Sequence, residues 1–181
     1  MHRRIISVMG GSAPQPGSEA YEEAYSLGRL LAEAGYAVAT GGYSGIMEAA
    51  SKGAAEAGGH VIGVTTEALN AWELRELKPN PWVKEEIRFP TLRDRLYHLV
   101  TFSHGVIALR GGIGTLSEVS LAWSLMQVGE MTPRPLILVG QPWHDLLTAF
   151  YADGAYIRSE DMQLFRCVST PQDVIPLLNG H

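Results

Sequence analysis

The feature that most constrains the fold is a repeat in kind rather than in letters: short apolar runs, several ending in glycine, each followed by a segment with apolar residues at helical spacing. "RRIISVMGG" leads to "SEAYEEAYSLGRLLAEAG", where Ser18 is placed to cap a helix and Gly35 to stop it. "YAVATGG" leads to "SGIMEAASKGAAEAGG", and "HVIGVTT" to the irregular "EALNAWELRELKPNPW", whose KPNPW reads as a loop. The alternation continues with "VKEEIRF" and "TLRDRLYHLVTFS", "GVIALRGG" and "GTLSEVSLAWSLMQ", "RPLILVG" and "WHDLLTAFYADG", then "LFRCVS" and "TPQDVIPLLNG". Strands that alternate with helices pair in parallel through right-handed crossovers, with helices on both faces. The sequence therefore predicts an α/β chain, a Rossmann-like doubly wound, mainly parallel sheet. Its 181 residues show no internal repeat, low-complexity tract or dividing linker, so a single domain over residues 1–181 is expected.

Composition removes several functions. A net charge of -5 speaks against a sequence-independent grip on nucleic acid, which needs a basic face to replace phosphate counterions. The N-terminal apolar run is too short for a signal peptide and no later run has membrane-spanning length. Cys167 is the only cysteine, which rules out an internal disulfide and fits a reducing compartment. A cytoplasmic protein with no membrane partner is expected. His60, His98, His104 and His144 form no H-x-x-H or H-E-x-x-H pattern, so no metal is expected. The lysines, Lys52, Lys78 and Lys84, all avoid the glycine-rich strand ends where a pyridoxal-phosphate Schiff base would sit, and no cofactor is expected.

In open α/β sheets ligands bind beyond the C-terminal ends of the strands, which selects residues 10–12, 41–45, 65–67 and 110–115. The most informative corner is "VIALRGGIGTLSEVSLAW". Glycines there let the backbone turn tightly, and the following helix presents unpaired N–H groups and a positive dipole end, a combination suited to phosphate. The run is neither a dinucleotide fingerprint, because Ser117 stands where the third glycine belongs, nor a P-loop. Thr115 and Glu118 have the T-x-x-E spacing of a capping box; Thr91 with Asp94, and Thr170 before Pro171, mark two further helix starts. Arg93 and Arg95 are two residues apart on one helix, so only one is expected to face the site. Arg110 reads equally as a phosphate ligand or as the partner of an acidic residue. Glu67 reads as a reader of base or ribose, or as a solvated carboxylate, and Ser12 as a phosphate donor or a turn residue. Met47 and Met126 read as core. Leu121, Trp123, Leu125 and Met126 make their helix apolar around much of its circumference, which either a dimer interface or a large core explains.

The runs "TGGYSGIMEAASKGA", "TLRDRLYHL" and "GGIGTLSE" resemble the Lonely Guy family, whose patterns are G-G-G-x-x-G-x-M-G, an Arg-containing helix, and P-G-G-x-G-T-x-x-E. The resemblance covers roughly residues 5–150 with the family's order and spacing. It implies a Rossmann-like fold, a homodimer or higher homo-oligomer, and a phosphoribohydrolase acting on nucleoside 5'-monophosphates, cytokinin forms among them. Many such relatives have been labelled lysine decarboxylases, which the lysine placement does not support. By position, Gly111, Gly112, Gly114 and Thr115 match the family's phosphate-binding turn, Glu118 its catalytic carboxylate and Arg95, rather than Arg93, its catalytic arginine. Gly41, Gly42, Gly45 and Met47 match its second-strand motif. Arg110 replaces the motif's proline, Leu96 a lysine and Glu48 the terminal glycine; these departures bear on base specificity more than on fold. Breaking an N-glycosidic bond builds positive charge on the ribose, which Glu118 is suited to stabilise, while the permanently charged Arg95 is suited to positioning. A second reading is a non-catalytic carrier of a phosphorylated pterin or nucleotide, similar to the molybdenum-cofactor carriers of this superfold. Glu118 with Arg95 favours the enzyme; Arg110 and Leu96 favour the carrier.

Overall fold

Five of the runs become strands largely buried on both faces, while Glu85–Phe89 and Arg166–Val168 are partly exposed edges, and a glycine or capping residue after most of them releases the chain into a helix. The computed structural model describes residues 3–69 and 77–179. In chain order the strands are β1 (Ile5–Met9), β2 (Ala37–Thr40), β3 (Val61–Thr66), β4 (Glu85–Phe89), β5 (Gly105–Ala108), β6 (Leu136–Val139) and β7 (Arg166–Val168). The α-helices are α1 (Glu19–Glu33), α2 (Ile46–Glu56), α3 (Leu92–Thr101), α4 (Ile113–Gln127), α5 (Gln141–Phe150) and α6 (Val174–Asn179). Residues 70–76 of the irregular segment expected after β3 lie outside the described residues.

The seven strands form one sheet in the order β4-β3-β2-β1-β5-β6-β7, and every neighbouring pair is parallel. The expected doubly wound α/β architecture is thus present. β1 lies at the centre, with Ile6 opposite Val38 of β2 on one side and Gly105 of β5 on the other. The chain winds outward from β1 to β4, then returns to β5 and winds outward to β7. This reversal opens a crevice between the C-terminal ends of β1 and β5, the place where such sheets bind ligands.

Alternating side chains divide the core into two layers. Ile6, Val8 and Ile107 pack with Leu27 and Leu31 of α1, Ile46 and Ala50 of α2, and Leu178 of α6. Met9, Val106 and Ala108 pack on the opposite face with Leu99 of α3, Val119 and Trp123 of α4, and Leu147 of α5. α1 and α2 meet backbone to backbone: a Cβ on Gly28 would run into the Ala50 carbonyl, and one on Gly53 into the Tyr25 carbonyl.

The helix starts follow the expected chemistry in three places. Ser18 Oγ accepts from the Tyr21 N–H at 3.4 Å, and Thr91 Oγ1 accepts from the Asp94 N–H at 3.1 Å. Thr170 and Asp173 form a reciprocal capping box over a 3-10 turn that leads into α6. Gly35, at φ +89°, reverses the chain after α1 as expected. Among the described residues no helix is long and apolar enough to cross a membrane.

Candidate functional site

Three glycine corners interlock at the crevice. The Gly11 N–H donates to the Arg110 carbonyl at 3.2 Å, and the Ile46 N–H donates to the Gly11 carbonyl at 2.9 Å. Gly45 takes φ +69°, and a Cβ there would lie 2.5 Å from the Gly11 oxygen. A Cβ on Gly111 would strike Thr115 Oγ1 and come within 2.8 Å of the Gly11 nitrogen. The corners can therefore approach only without side chains, and the space they frame is a cavity of about 360 Å³.

α4 starts earlier than the capping-box reading expects. Gly112 is the N-cap, with extended backbone and no side-chain cap, and the first intrahelical bond runs from the Leu116 N–H to the Gly112 carbonyl at 3.1 Å. Thr115 is thus the third helical residue and Glu118 lies in the second turn; both are buried. Thr-x-x-Glu is not a capping box here, because the glycine pair lets the helix begin three residues sooner. The amides of residues 113–115 precede the first helical bond, so the N-terminal donors of α4 face the crevice with the positive end of the dipole.

Opposite stands Arg95, brought inward by the Thr91 cap and the helical period of α3. Its side chain is 8% exposed, whereas that of Arg93 is 86% exposed and pairs with Asp94 at 3.3 Å. Arg95 Nε donates to the Val64 carbonyl at 2.7 Å and Nη2 to the Gly41 carbonyl at 3.3 Å, and Cζ lies 5.9 Å from the Tyr43 ring centroid. Its Nη1 is 3.9 Å from Glu118 Oε1, too far for a hydrogen bond. Among the described residues nothing else donates to the Glu118 carboxylate, which opens to the cavity. Burial pushes the Glu118 carboxyl up to about 7, with the Arg95 charge holding it back from rising further. Burial also lowers the Arg95 guanidinium, with Glu118 and Tyr43 acting in the opposite direction. A carboxyl poised near neutrality beside a held cation and a row of helix N-terminal amides can stabilise positive charge on one atom of a ligand while its phosphate is gripped elsewhere.

The other expected site residues divide. Ser12, Gly41, Gly112, Gly114 and Thr115 line the cavity with Arg95 and Glu118. Gly42, Gly45 and Gly111 stand behind the lining and allow its backbone to close up. Gly42, for example, has φ +80° and its carbonyl accepts from Asn80. Arg110 is exposed, makes no ion pair among the described residues and stands outside the cavity lining. Glu67 is likewise exposed and outside the lining, as the solvated reading expects; its backbone N–H continues toward β4 at Phe89, 3.0 Å. Met47, expected in the core, instead lines the cavity, because α2 turns its first residues toward the crevice. Met126 is in the core, and Trp123 and Leu125 are buried with it. His98 packs between Phe102, at 4.4 Å, and Phe89, and His60 pairs with Glu85 at 2.8 Å.

Several lining residues carry no signal in the sequence. Leu69, Leu77, Leu92 and Leu99 form an apolar wall drawn from three separate segments. Tyr43 sits inside a corner the sequence singles out, and an aromatic among glycines is the clue to it.

Sheet order, switch-point cavity and glycine corners define a Rossmann-like protein whose cavity, at one end of the sheet, suits a small phosphorylated ligand. Residues 3–162 match the model of the SLOG cluster4 family, and the chain belongs to that family, in agreement with its Lonely Guy resemblance. It is 34% identical over 127 residues to the cytokinin riboside 5'-monophosphate phosphoribohydrolase LOG of Oryza sativa subsp. japonica, covering 70% of this chain and 51% of that protein. It is 35% identical over 114 residues to the pyrimidine/purine nucleotide 5'-monophosphate nucleosidase of Escherichia coli K12, covering 57% of this chain and 24% of that protein. The chain thus spans about half the length of the rice protein and a quarter of the bacterial one. Among solved structures, the molybdenum cofactor binding protein of Rippkaea orientalis superposes with a TM-score of 0.76 and 31% identity, covering 99% of this chain and 98% of that one.

Proposed function

We propose that the protein is a nucleoside 5'-monophosphate phosphoribohydrolase, cleaving the N-glycosidic bond to a free base and ribose 5-phosphate. The observation that carries this reading is the buried Arg95–Glu118 pair at 3.9 Å, facing the uncapped N-terminus of α4 across one cavity. The amides of residues 113–115, with Thr115 beside them, bind the phosphate. The ribose then lies toward Glu118, whose ionised carboxylate stabilises the charge that grows at C1' as the C1'–N bond breaks. Water supplies oxygen to C1', and the departing base takes a proton. Arg95 anchors Glu118 and orients the ribose. The names of the rice and Escherichia coli relatives favour this activity.

A second reading, a carrier of a phosphorylated pterin, is favoured by one specific observation: the match to the molybdenum cofactor binding protein runs over nearly the whole of both chains. Incubation with a panel of purine and pyrimidine monophosphates, followed by chromatography for released base, separates the two. Base release that is lost in Arg95→Ala and kept in Arg93→Ala supports the hydrolase. Tight binding of monophosphate without base release supports the carrier. We also infer that the protein works as a homodimer in the cytoplasm, using the apolar outer face of α4 and α5 for self-association.

A further inference from the structure

Arg95 receives no positioning contact from its own helix. Its guanidinium is held by the Val64 carbonyl of β3, the Gly41 carbonyl after β2, and the face of Tyr43. The first two contacts fix Nε and Nη2, Nη1 stands 3.9 Å from Glu118 Oε1 without such a bond, and the Tyr43 ring lies 5.9 Å from Cζ as the aromatic contact of the cation. Tyr43 is itself held with unusual completeness. Its hydroxyl donates to the Thr66 carbonyl at 3.1 Å and accepts from the Thr66 N–H at 3.0 Å, so the phenol exchanges two bonds with one fully buried residue at the end of β3. Its own carbonyl accepts from Asn80 Nδ2 at 3.1 Å. The side chain is buried, yet it lines the cavity. A ring clamped at both ends makes a fixed platform for a desolvated cation.

We infer that Tyr43 is a positioning residue that holds the Arg95 guanidinium against Glu118 and thereby sets the charge state of the carboxyl at working pH. It acts through Arg95 and needs no contact with the reacting atoms. Among the described residues that line the cavity, the ionisable side chains are Tyr43 from the β2–α2 corner, Arg95 from α3 and Glu118 from α4, and Arg95 is the one cation of that set. Its kinetic consequence rests on the phosphoribohydrolase reading; its electrostatic consequence does not.

The test follows the Glu118 carboxyl by carbon-13 NMR titration, assigned by its absence in Glu118→Gln, in the full-length protein and in Tyr43→Phe and Tyr43→Leu. Tyr43→Phe keeps the ring but loses the two hydroxyl bonds to Thr66, and its Glu118 midpoint is expected to fall between those of the native protein and Tyr43→Leu. In Tyr43→Leu the guanidinium loses its backing, the favourable charge recedes, and the midpoint moves upward. Against an Arg95→Met background the same Tyr43→Leu change should move nothing further. With monophosphate as substrate, Tyr43→Leu is expected to lower kcat about tenfold at neutral pH with little change in KM, and Tyr43→Phe to restore most of it. Should Tyr43→Leu fail to fold, Tyr43→Met fills the same space with a flexible side chain and carries the same expectation. An unmoved Glu118 midpoint in the ring-less variant, or a shift that persists without Arg95, overturns the inference. A shifted midpoint in a protein that releases no base from any monophosphate sinks the hydrolase reading and leaves the positioning role standing.

Discussion

At the scale of single residues, Glu118 carries the most chemistry and the clearest pH signature. Its carboxyl is raised from 4.5 to about 7 by burial, so between those values the folded protein holds a proton that the unfolded chain has released. Stability from this group is therefore highest below pH about 4.5, falls as pH rises toward 7, and is level above; the total is on the order of 3 kcal/mol. Glu118→Gln stays neutral throughout, so its melting temperature should gain on the native protein's across that window and remain ahead at pH 8. Its turnover should fall by about 10²–10³ because a preorganised charge is gone. Parallel melts across the pH range and single-turnover assays check both halves; a melting difference that does not change with pH would show that the carboxyl is not desolvated. Arg95 is legible through the Lonely Guy resemblance, whose pattern matches it rather than Arg93; the helical period alone says only that one of the two faces the site. Met47 is not, because an apolar residue in the first turn of a helix looks the same whether that turn faces a core or a cavity. The leucine wall is hidden for a related reason: Leu92 and Leu99 share one face of α3, but nothing in the sequence joins them to Leu69 and Leu77.

Among the elements, the five inner strands are readable because each is a short apolar run buried on both faces, as a parallel sheet demands, whereas the edge strands β4 and β7 are partly exposed and carry charged residues. The start of α4 is where the sequence misleads. Thr-x-x-Glu is a sound N-cap pattern, but a pattern fixes spacing and not register, and the two glycines before it admit a helix that begins at Ile113. This shift turns Thr115 and Glu118 from caps into buried, cavity-lining side chains and frees the amides ahead of them. The two glycines that flank the N-terminus should respond differently to substitution. A Cβ on Gly111 meets Thr115 Oγ1 and the Gly11 backbone, whereas one on Gly114 meets nothing within 4 Å. Gly111→Ala is therefore expected to cost about 1–3 kcal/mol and to abolish the thermal shift that inorganic phosphate gives the native protein. Gly114→Ala should fold at least as stably, gaining up to about 1 kcal/mol from its helical position. Equal melting temperatures for the two variants would mean that the corners are looser than their spacing indicates.

For the whole molecule, the question is what covers the outer side of α4. Its inner side is spent on the core and the cavity, through Val119, Trp123 and Met126 in one direction and Thr115 and Glu118 in the other. Its outer side still presents Leu116, and the neighbouring chain adds Leu146, Phe150 and Tyr156, the last two 72% and 84% exposed, around a groove of about 510 Å³. Large apolar side chains clustered in this way mark association surfaces, and a stable dimer needs about 800 Å² buried on each partner. A second copy of the chain meeting this face would press directly on the helix that carries Glu118, so association and site geometry would share one element. Phe150→Asp places a charge in the middle of that face without touching the cavity lining. Where the native protein self-associates through this face, the substitution is expected to shift it toward monomer in sedimentation velocity and to lower base release on dilution. A native protein that sediments as a monomer would remove this face as a self-association surface, and activity independent of protein concentration in Phe150→Asp would show that each cavity works without its neighbour.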